Sequence, residues 1–323
     1  MKDKLPGIFS KLVSIFVLFF SGLAWSAEVN FPAKPIHIWV GFAAGAASDV
    51  LNRRVGALLE KNLGQPVVVE NKPGGSGAVC LTLLKSVNPD GYTLSGSTDT
   101  GLTRAPHLTK VNYDPIKDFI PVARLGLGRS GLAVKTDGSF KKYQDFIDYA
   151  RKNPGKVTVS VGYGTSSHIM MEKIARREGI KFQYVYSSGA AESVTSLLGG
   201  HVMACSNATM MITPHVKEGS LKILLLYESE GADQARDIMT LEKVGYDFKC
   251  PFGELVVAPK EVPKPIMDKL SDAYARVMKT PEYLEVARQQ ELIISPLFGD
   301  ELQKWVTSQH SMYGAAIKDL KRE

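Results

Sequence analysis

The chain has 323 residues, 44% apolar and 22% charged, the balance of a soluble globular protein of about two domains. Its formal charge of +6 falls to about +4 once the three lysines and one aspartate of an N-terminal leader are set aside. The excess is scattered, with no basic block interleaved with aromatics. Nucleic acid is therefore excluded as a partner, and an anionic ligand is mildly favoured over a cationic one.

The leader reads as an address. Lys2, Lys4 and Lys11 precede and open an apolar run over residues 12–24, and Ala24-Trp25-Ser26 is a small-x-small cleavage site. The run is too short to span a bilayer comfortably. This predicts a signal peptide over residues 1–26, cleaved near Ser26/Ala27, and a periplasmic protein. Cys80, Cys205 and Cys250 are an odd number with no CxxC or zinc spacing. At most one disulfide could form, Cys205 with Cys250 being the better pair, and three small buried side chains are the simpler expectation.

Ile36 to Val40 is β-branched and alternating, a strand. A small-residue loop follows, and Ser48 and Asp49 read as N-caps of a helix with Val50, Leu51, Val55, Leu58 and Leu59 at helical spacing. Loop amides and a helix N-terminus together cradle an anion without a cationic side chain. Gly64 and Pro66 end that helix. A strand over residues 67–70 leads to a second loop, Asn71-Lys-Pro-Gly-Gly-Ser-Gly77, and a helix carrying Val79, Leu81, Leu83 and Leu84. Asn88-Pro-Asp-Gly91 is a turn. A third strand over residues 92–95 meets a third polar loop, Gly96-Ser-Thr-Asp-Thr100. Three β-loop-α units argue for a doubly wound, largely parallel sheet whose ligand sits outside the carboxyl ends of the strands.

Residues 120–125 begin an extended segment. Gly126-Leu-Gly-Arg-Ser-Gly131 matches the dinucleotide fingerprint as a string, but residues 132–134 continue as strand where that motif needs a helix, so it reads as a crossing between domains. A second βα series follows. A helix over residues 143–152 and a strand over 157–161 lead to Gly162-Tyr-Gly-Thr-Ser-Ser-His168, again a strand, a polar loop and a helix start. A strand over 182–186 precedes Ser187-Ser-Gly-Ala-Ala191 and a helix over 193–198. A strand over 202–205, a polar turn at Asn207-Ala-Thr209 and a helix over 211–218 come next. Residues 221–227 form a strongly apolar strand, expected at the centre of its sheet. A strand over 254–258 and three helical stripes complete the chain.

Several motifs coincide in order: the exported N-terminus, the small-residue loop ending in Ser48-Asp49, Leu63-Gly-Gln-Pro-Val-Val-Val-Glu-Asn71 with Pro-Gly-Gly-Ser-Gly77, and Asn88-Pro-Asp-Gly-Tyr-Thr-Leu94. Tyr113-Asp-Pro-Ile-Lys-Asp-Phe119, Asn153-Pro-Gly-Lys156, Ser166-Ser-His168 and Leu197-Leu-Gly-Gly200 continue the set. The chain resembles the Bug or TctC-like periplasmic substrate-binding proteins of tripartite tricarboxylate transporters over nearly all of its mature length. The resemblance implies an α/β, two-lobed periplasmic-binding-protein (clamshell) fold: two doubly wound, mainly parallel sheets with two interlobe crossings. Lobe one would comprise residues 27–125 and 251–323, and lobe two residues 126–250.

The resemblance also implies a small organic carboxylate held by loop amides, Ser/Thr hydroxyls and ordered waters. From lobe one it points to Ala43, Ala44, Gly45 and Ala46, to Ser48 and Asp49, and to Ser97, Thr98 and Asp99. From lobe two come Thr165, Ser166, Ser167 and His168, then Gly189, Ala190 and Ala191, and finally Asn207. Asp49 is expected to cap its helix more than touch a ligand, because its charge repels a carboxylate. The membrane subunits of a tripartite tricarboxylate-type transporter would be the partners, with a monomer expected, no cofactor and no metal. Ser187-Ser-Gly189 stands where a Tyr-Lys-Gly run is frequent, and Ser206-Asn207 where an Asp-Asn pair is common. A ligand with an amine would miss the acid; a plain mono- or dicarboxylate, aromatic ones included, would not.

Two rival functions are weighed. A ligand-loaded subunit for a membrane sensor kinase would bind in the same way. An exported serine hydrolase would need Ser166 or Ser167 with His168, but neighbouring residues on one turn do not make a base and nucleophile, and no Gly-x-Ser-x-Gly elbow, HExxH or P-loop occurs.

Overall fold

The computed structural model describes residues 30–228 and 238–320; the predicted signal peptide lies outside the described residues. The chain supplies β1 (Ile36–Val40), α1 (Ala47–Leu63), β2 (Val67–Asn71), α2 (Ala78–Leu84), β3 (Thr93–Thr98), α3 (Thr100–Thr103), α4 (Ala105–Leu108) and β4 (Phe119–Gly128). Next come β5 (Ser130–Lys135), α5 (Tyr143–Lys152), β6 (Thr158–Gly162), α6 (Ser166–Glu178), β7 (Gln183–Ser187), α7 (Ala190–Leu198), β8 (Ala204–Ala208), α8 (Thr209–Lys217) and β9 (Leu221–Leu226). β10 (Phe252–Pro259), α9 (Lys264–Val277), α10 (Pro281–Gln289) and α11 (Gly299–Leu320) complete it.

Two five-stranded sheets form two lobes, in the orders β2-β1-β3-β10-β4 and β7-β6-β8-β5-β9. In each, three strands pair in parallel, and one strand, β10 or β5, runs against its neighbours. The reversed strand in each sheet is the one that enters from the other lobe, which is why a series of right-handed βα units ends in a mixed sheet. Residues 221–227 were expected at the centre of their sheet; β9 is an edge strand. It is apolar because both faces are covered, and because Leu226 pairs with the segment around Thr240.

Register decides how the sheets face. Phe252 lies opposite Gly128, so β4 leaves and β10 enters at the end of the first sheet where β1 and β3 finish. Ser130 lies opposite Ala208, and Gly131 opposite Leu226, so β5 enters and β9 leaves at the end where β8 finishes. Only Arg129 separates β4 from β5. The carboxyl-end loops of both sheets are thereby turned toward the crossings and toward each other. α11 bridges the lobes: Leu302 and Val306 pack with Leu81, Leu102 and Leu255, while Tyr313 and Ile317 enter the core around Phe146, Met170 and Leu225. All three cysteines are buried and free, so the Cys205–Cys250 pairing is not made.

Candidate functional site

In lobe one, three loops converge on Gly41. A Cβ there would lie 2.9 Å from the Gly77 Cα and 3.2 Å from the Ser97 Oγ, so only glycine allows this approach. The following turn is closed by the Ala46 amide donating to the Ala43 carbonyl at 3.1 Å. Ala43, Ala44 and Gly45 are exposed, and Gly45 adopts φ +81°. Ser48 and Asp49 do not cap α1: Ala46 occupies the cap position, and both residues sit inside the first turn.

Asp49 instead staples the loop. Its carboxylate accepts from the Gly45 amide at 2.9 Å and the Asn71 side chain at 2.8 Å, and pairs with Arg53 at 2.9 Å. Asn71 also donates to the Phe42 carbonyl at 3.0 Å. Burial pushes the Asp49 carboxyl up, but the Gly45, Arg53 and Asn71 bonds outweigh it and hold the group below its ordinary range. Ser48 also turns inward, donating to the buried carboxylate of Glu254. Thr98 is half-buried and bonded to Thr100 at 2.9 Å. Asp99 is drawn into the body of the protein: it is fully buried, paired with the buried Arg104 at 2.6 Å, and accepts from the Gly253 amide. Arg104 in turn lies over the Tyr313 ring, whose hydroxyl donates to the Pro251 carbonyl. Of the polar side chains singled out in lobe one, Ser97 alone is both buried and without a hydrogen-bond partner.

In lobe two, Thr165 caps α6, accepting from the His168 amide and donating to the Gly162 carbonyl. Ser166 and Ser167 lie buried in the first turn of that helix, at its positive end. The His168 Nδ1 accepts from the Gly164 amide at 3.1 Å, which leaves the proton on Nε2. Burial draws its pKa down to about 4, so the imidazole is neutral and serves as no cation for an anion. Gly189 caps α7, with Ala190 and Ala191 opening that helix; Gly189 and Ala191 are exposed. Asn207 was expected in a turn and lies within β8, buried, with its Nδ2 unpaired. The structure thus sets two orphan donors, Ser97 Oγ and Asn207 Nδ2, on strands that end at the facing edges of the two sheets.

Four residues escaped the sequence reading. Glu254 sits under α1, and burial lifts its carboxyl to about 7, Ser48 offsetting only part of the shift. Ser130, at the first crossing, is buried with its Oγ unpaired, and its amide donates to Glu228 at 2.7 Å. Tyr163 and Tyr186 stand half-exposed at the ends of β6 and β7. A lone acid in the apolar run at 252–259, and an aromatic between two loop glycines at 162–164, were the available signals. Among the described residues no group of three or more His, Cys, Asp or Glu side chains could hold a metal.

Two lobes linked by two crossings, with helix N-termini and small-residue loops turned toward each other, are the architecture of a solute-binding protein. The model of the family described as "Tripartite tricarboxylate transporter family receptor" matches residues 51–321, and the chain belongs to that family. Its relatives include the UPF0065 protein in the gbd 5' region of Cupriavidus necator, 38% identical over 259 residues, 79% of this chain and 78% of that one. Protein BugT of Bordetella pertussis is 26% identical over 314 residues, 92% of this chain and 95% of its own. Among solved structures, the periplasmic binding protein BugD superposes with a TM-score of 0.80 at 25% identity, covering 90% of this chain and 98% of BugD. MatC of Rhodopseudomonas palustris, solved with bound malate, gives 0.78 at 25% identity over 89% of this chain and all of MatC. The family and its neighbours are receptors for solutes; this chain is not an enzyme.

Proposed function

We propose that this protein is a periplasmic receptor that captures a small organic carboxylate between its lobes and presents the closed form to the membrane subunits of a tripartite tricarboxylate-type transporter. Ala43 to Ala46 and Ser97 hold the ligand from lobe one. Thr165 to Ser167, Gly189 to Ala191 and Asn207 meet it from lobe two, with ordered waters completing its shell. The reading assigns residues 27–125 and 251–323 to lobe one and 126–250 to lobe two, with export by cleavage near Ser26/Ala27 and a monomeric working form.

One observation carries it: Ser97 Oγ and Asn207 Nδ2, one from each lobe, are buried and unpaired. Buried polar groups are usually satisfied, so donors left over at the facing edges favour a ligand as their partner. The malate bound by MatC supports the choice of a carboxylate. Charge-assisted hydrogen bonds to a carboxylate are worth about 1.5–3 kcal/mol each, so three or four of them with some apolar burial supply the roughly −7 kcal/mol of ten-micromolar binding. Closure follows because only the closed form makes both lobes' contacts at once.

Titration calorimetry and thermal shift of the mature protein against malate and a panel of mono- and dicarboxylates test the reading. Binding of at least one carboxylate, with stabilisation that grows with ligand concentration, is expected. No heat and no thermal shift with any of them overturns it.

A further inference from the structure

Lobe two ends in an aromatic corner. Tyr163 lies in the loop after β6 and is 50% exposed; Tyr186, the penultimate residue of β7, is 51% exposed. Their ring centroids are 5.1 Å apart with planes at 89°. Val161, two residues before Tyr163, pairs in register with Tyr186, so both rings rise from the carboxyl ends of adjacent strands, the edge turned toward lobe one. The corner is braced from behind. His168 lies 5.5 Å from the Tyr163 ring and 5.3 Å from the Tyr186 ring, and Tyr184 stacks along Tyr186 at 6.2 Å. The Tyr186 hydroxyl lies 3.4 Å from His168 Nε2. Two large rings are thus fixed in orientation while half of each surface faces solvent, beside the loop and helix start that hold Thr165, Ser166 and Ser167.

We propose that Tyr163 and Tyr186 form a wall of the ligand site, and that the carboxylate taken by this protein carries a planar aromatic ring. The inference rests on the carboxylate reading above and names its class. A third ring entering a right-angled pair stacks on one tyrosine and meets the other edge-on, both favoured arrangements for aromatic contacts. The surroundings are suited to an uncharged ring. His168 is neutral, Ser187 and Ser206 carry no charge, and the Glu172 carboxylate lies 3.9 Å from His168 Nε2. The ligand's charge is left for the amides and hydroxyls, and its apolar body for the tyrosines.

The test is calorimetry on the full mature protein with benzoate, cyclohexanecarboxylate, adipate and glycine betaine. Benzoate is expected to bind about tenfold more tightly than cyclohexanecarboxylate, which has the same charge and nearly the same size but no flat face. In ligand-observed NMR, benzoate protons should move upfield on binding. Tyr163→Ala and Tyr186→Ala should each cut the benzoate preference severalfold and reduce the upfield shift, whereas Tyr163→Phe and Tyr186→Phe should retain both. Equal affinity for benzoate and cyclohexanecarboxylate overturns the inference, as does adipate binding without benzoate, and both leave the carboxylate reading standing. Glycine betaine binding without benzoate makes the corner a cage for quaternary ammonium and overturns it too. Loss of the preference in the Phe variants assigns the effect to the hydroxyls and equally overturns the wall. Failure of every carboxylate sinks both readings.

Discussion

Ser48 and Glu254, 206 positions apart, meet beneath the loop that follows β1: the Ser48 hydroxyl lies 3.0 and 2.8 Å from the two carboxylate oxygens. The contact ties the first turn of α1 to the strand by which the chain returns from lobe two. Burial raises the Glu254 carboxyl from 4.5 to about 7, and the nearby Asp99 adds to the shift. Between these values the folded protein keeps a proton that the unfolded chain releases, so stability falls as pH rises through the window and stays lowered above it. The fall amounts to roughly 3 kcal/mol. Glu254→Gln keeps an acceptor for Ser48 and removes the titration. Urea denaturation at pH 5 and pH 8 should show the variant gaining on the wild type at pH 8 and matching it at pH 5.

Asp49 holds the exposed turn in shape through its bonds to Gly45, Asn71 and Arg53. Asp49→Ala should destabilise the protein by about 1–3 kcal/mol, since three partners lose their acceptor. It should also weaken carboxylate binding about tenfold, because ordering the loop then falls to the ligand. The carboxyl is held below its ordinary value of 3.8, so its contribution is complete above that value and fades as acid titrates the folded form. Denaturation and calorimetry on the same preparation separate the two effects.

The buried Asp99–Arg104 pair joins the end of β3 to α4 and, through Tyr313, to α11. Removing one partner strands a buried charge. Asp99→Asn and Arg104→Met should each cost about 3–5 kcal/mol, and the double replacement less than their sum. Chemical denaturation of the three variants checks this.

Gly164 adopts φ +68°, and a Cβ there would fall 2.0 Å from the Leu108 Cδ1. The loop of lobe two is thus seated against α4. Gly164→Ala should destabilise by about 1–3 kcal/mol through backbone strain and the clash together. Adding Leu108→Ala should relieve the clash but not the strain, so the double variant should recover only part of the lost stability in chemical denaturation.

Asn207 carries a buried donor with no hydrogen-bond partner among the described residues. Asn207→Ala should raise the stability of the ligand-free protein by up to about 1 kcal/mol while reducing carboxylate affinity about tenfold. Opposite signs in the thermal melt and the titration are the signature to look for.

Much of the fold was legible. The strand at Ile36–Val40 and the helix at Tyr143–Lys152 lie where alternation and helical spacing put them, because both signals follow from the side chains' own periodicity. The loops at 41–46 and 162–165 were equally plain, since small and polar residues end a strand before a helix. The caps of α1 were not. Ser48 and Asp49 satisfy the local pattern, yet Glu254, Asn71 and the Gly45 amide compete for them, and two of those partners come from other strands. Asp99 misled for the same reason: a polar loop residue looks available until a buried arginine claims it.

Composition and periodicity by themselves called for an α/β chain with small-residue loops after its strands, because periodicity and loop chemistry are local properties; the receptor role came only through the resemblance that the motifs carry. Which hydroxyls and amides stay unpaired, which acids are consumed inside the protein, and which tyrosines face the other lobe were settled only by tertiary structure. A hydrogen bond is made with whatever lies within about 3 Å, and chain order does not say what that is.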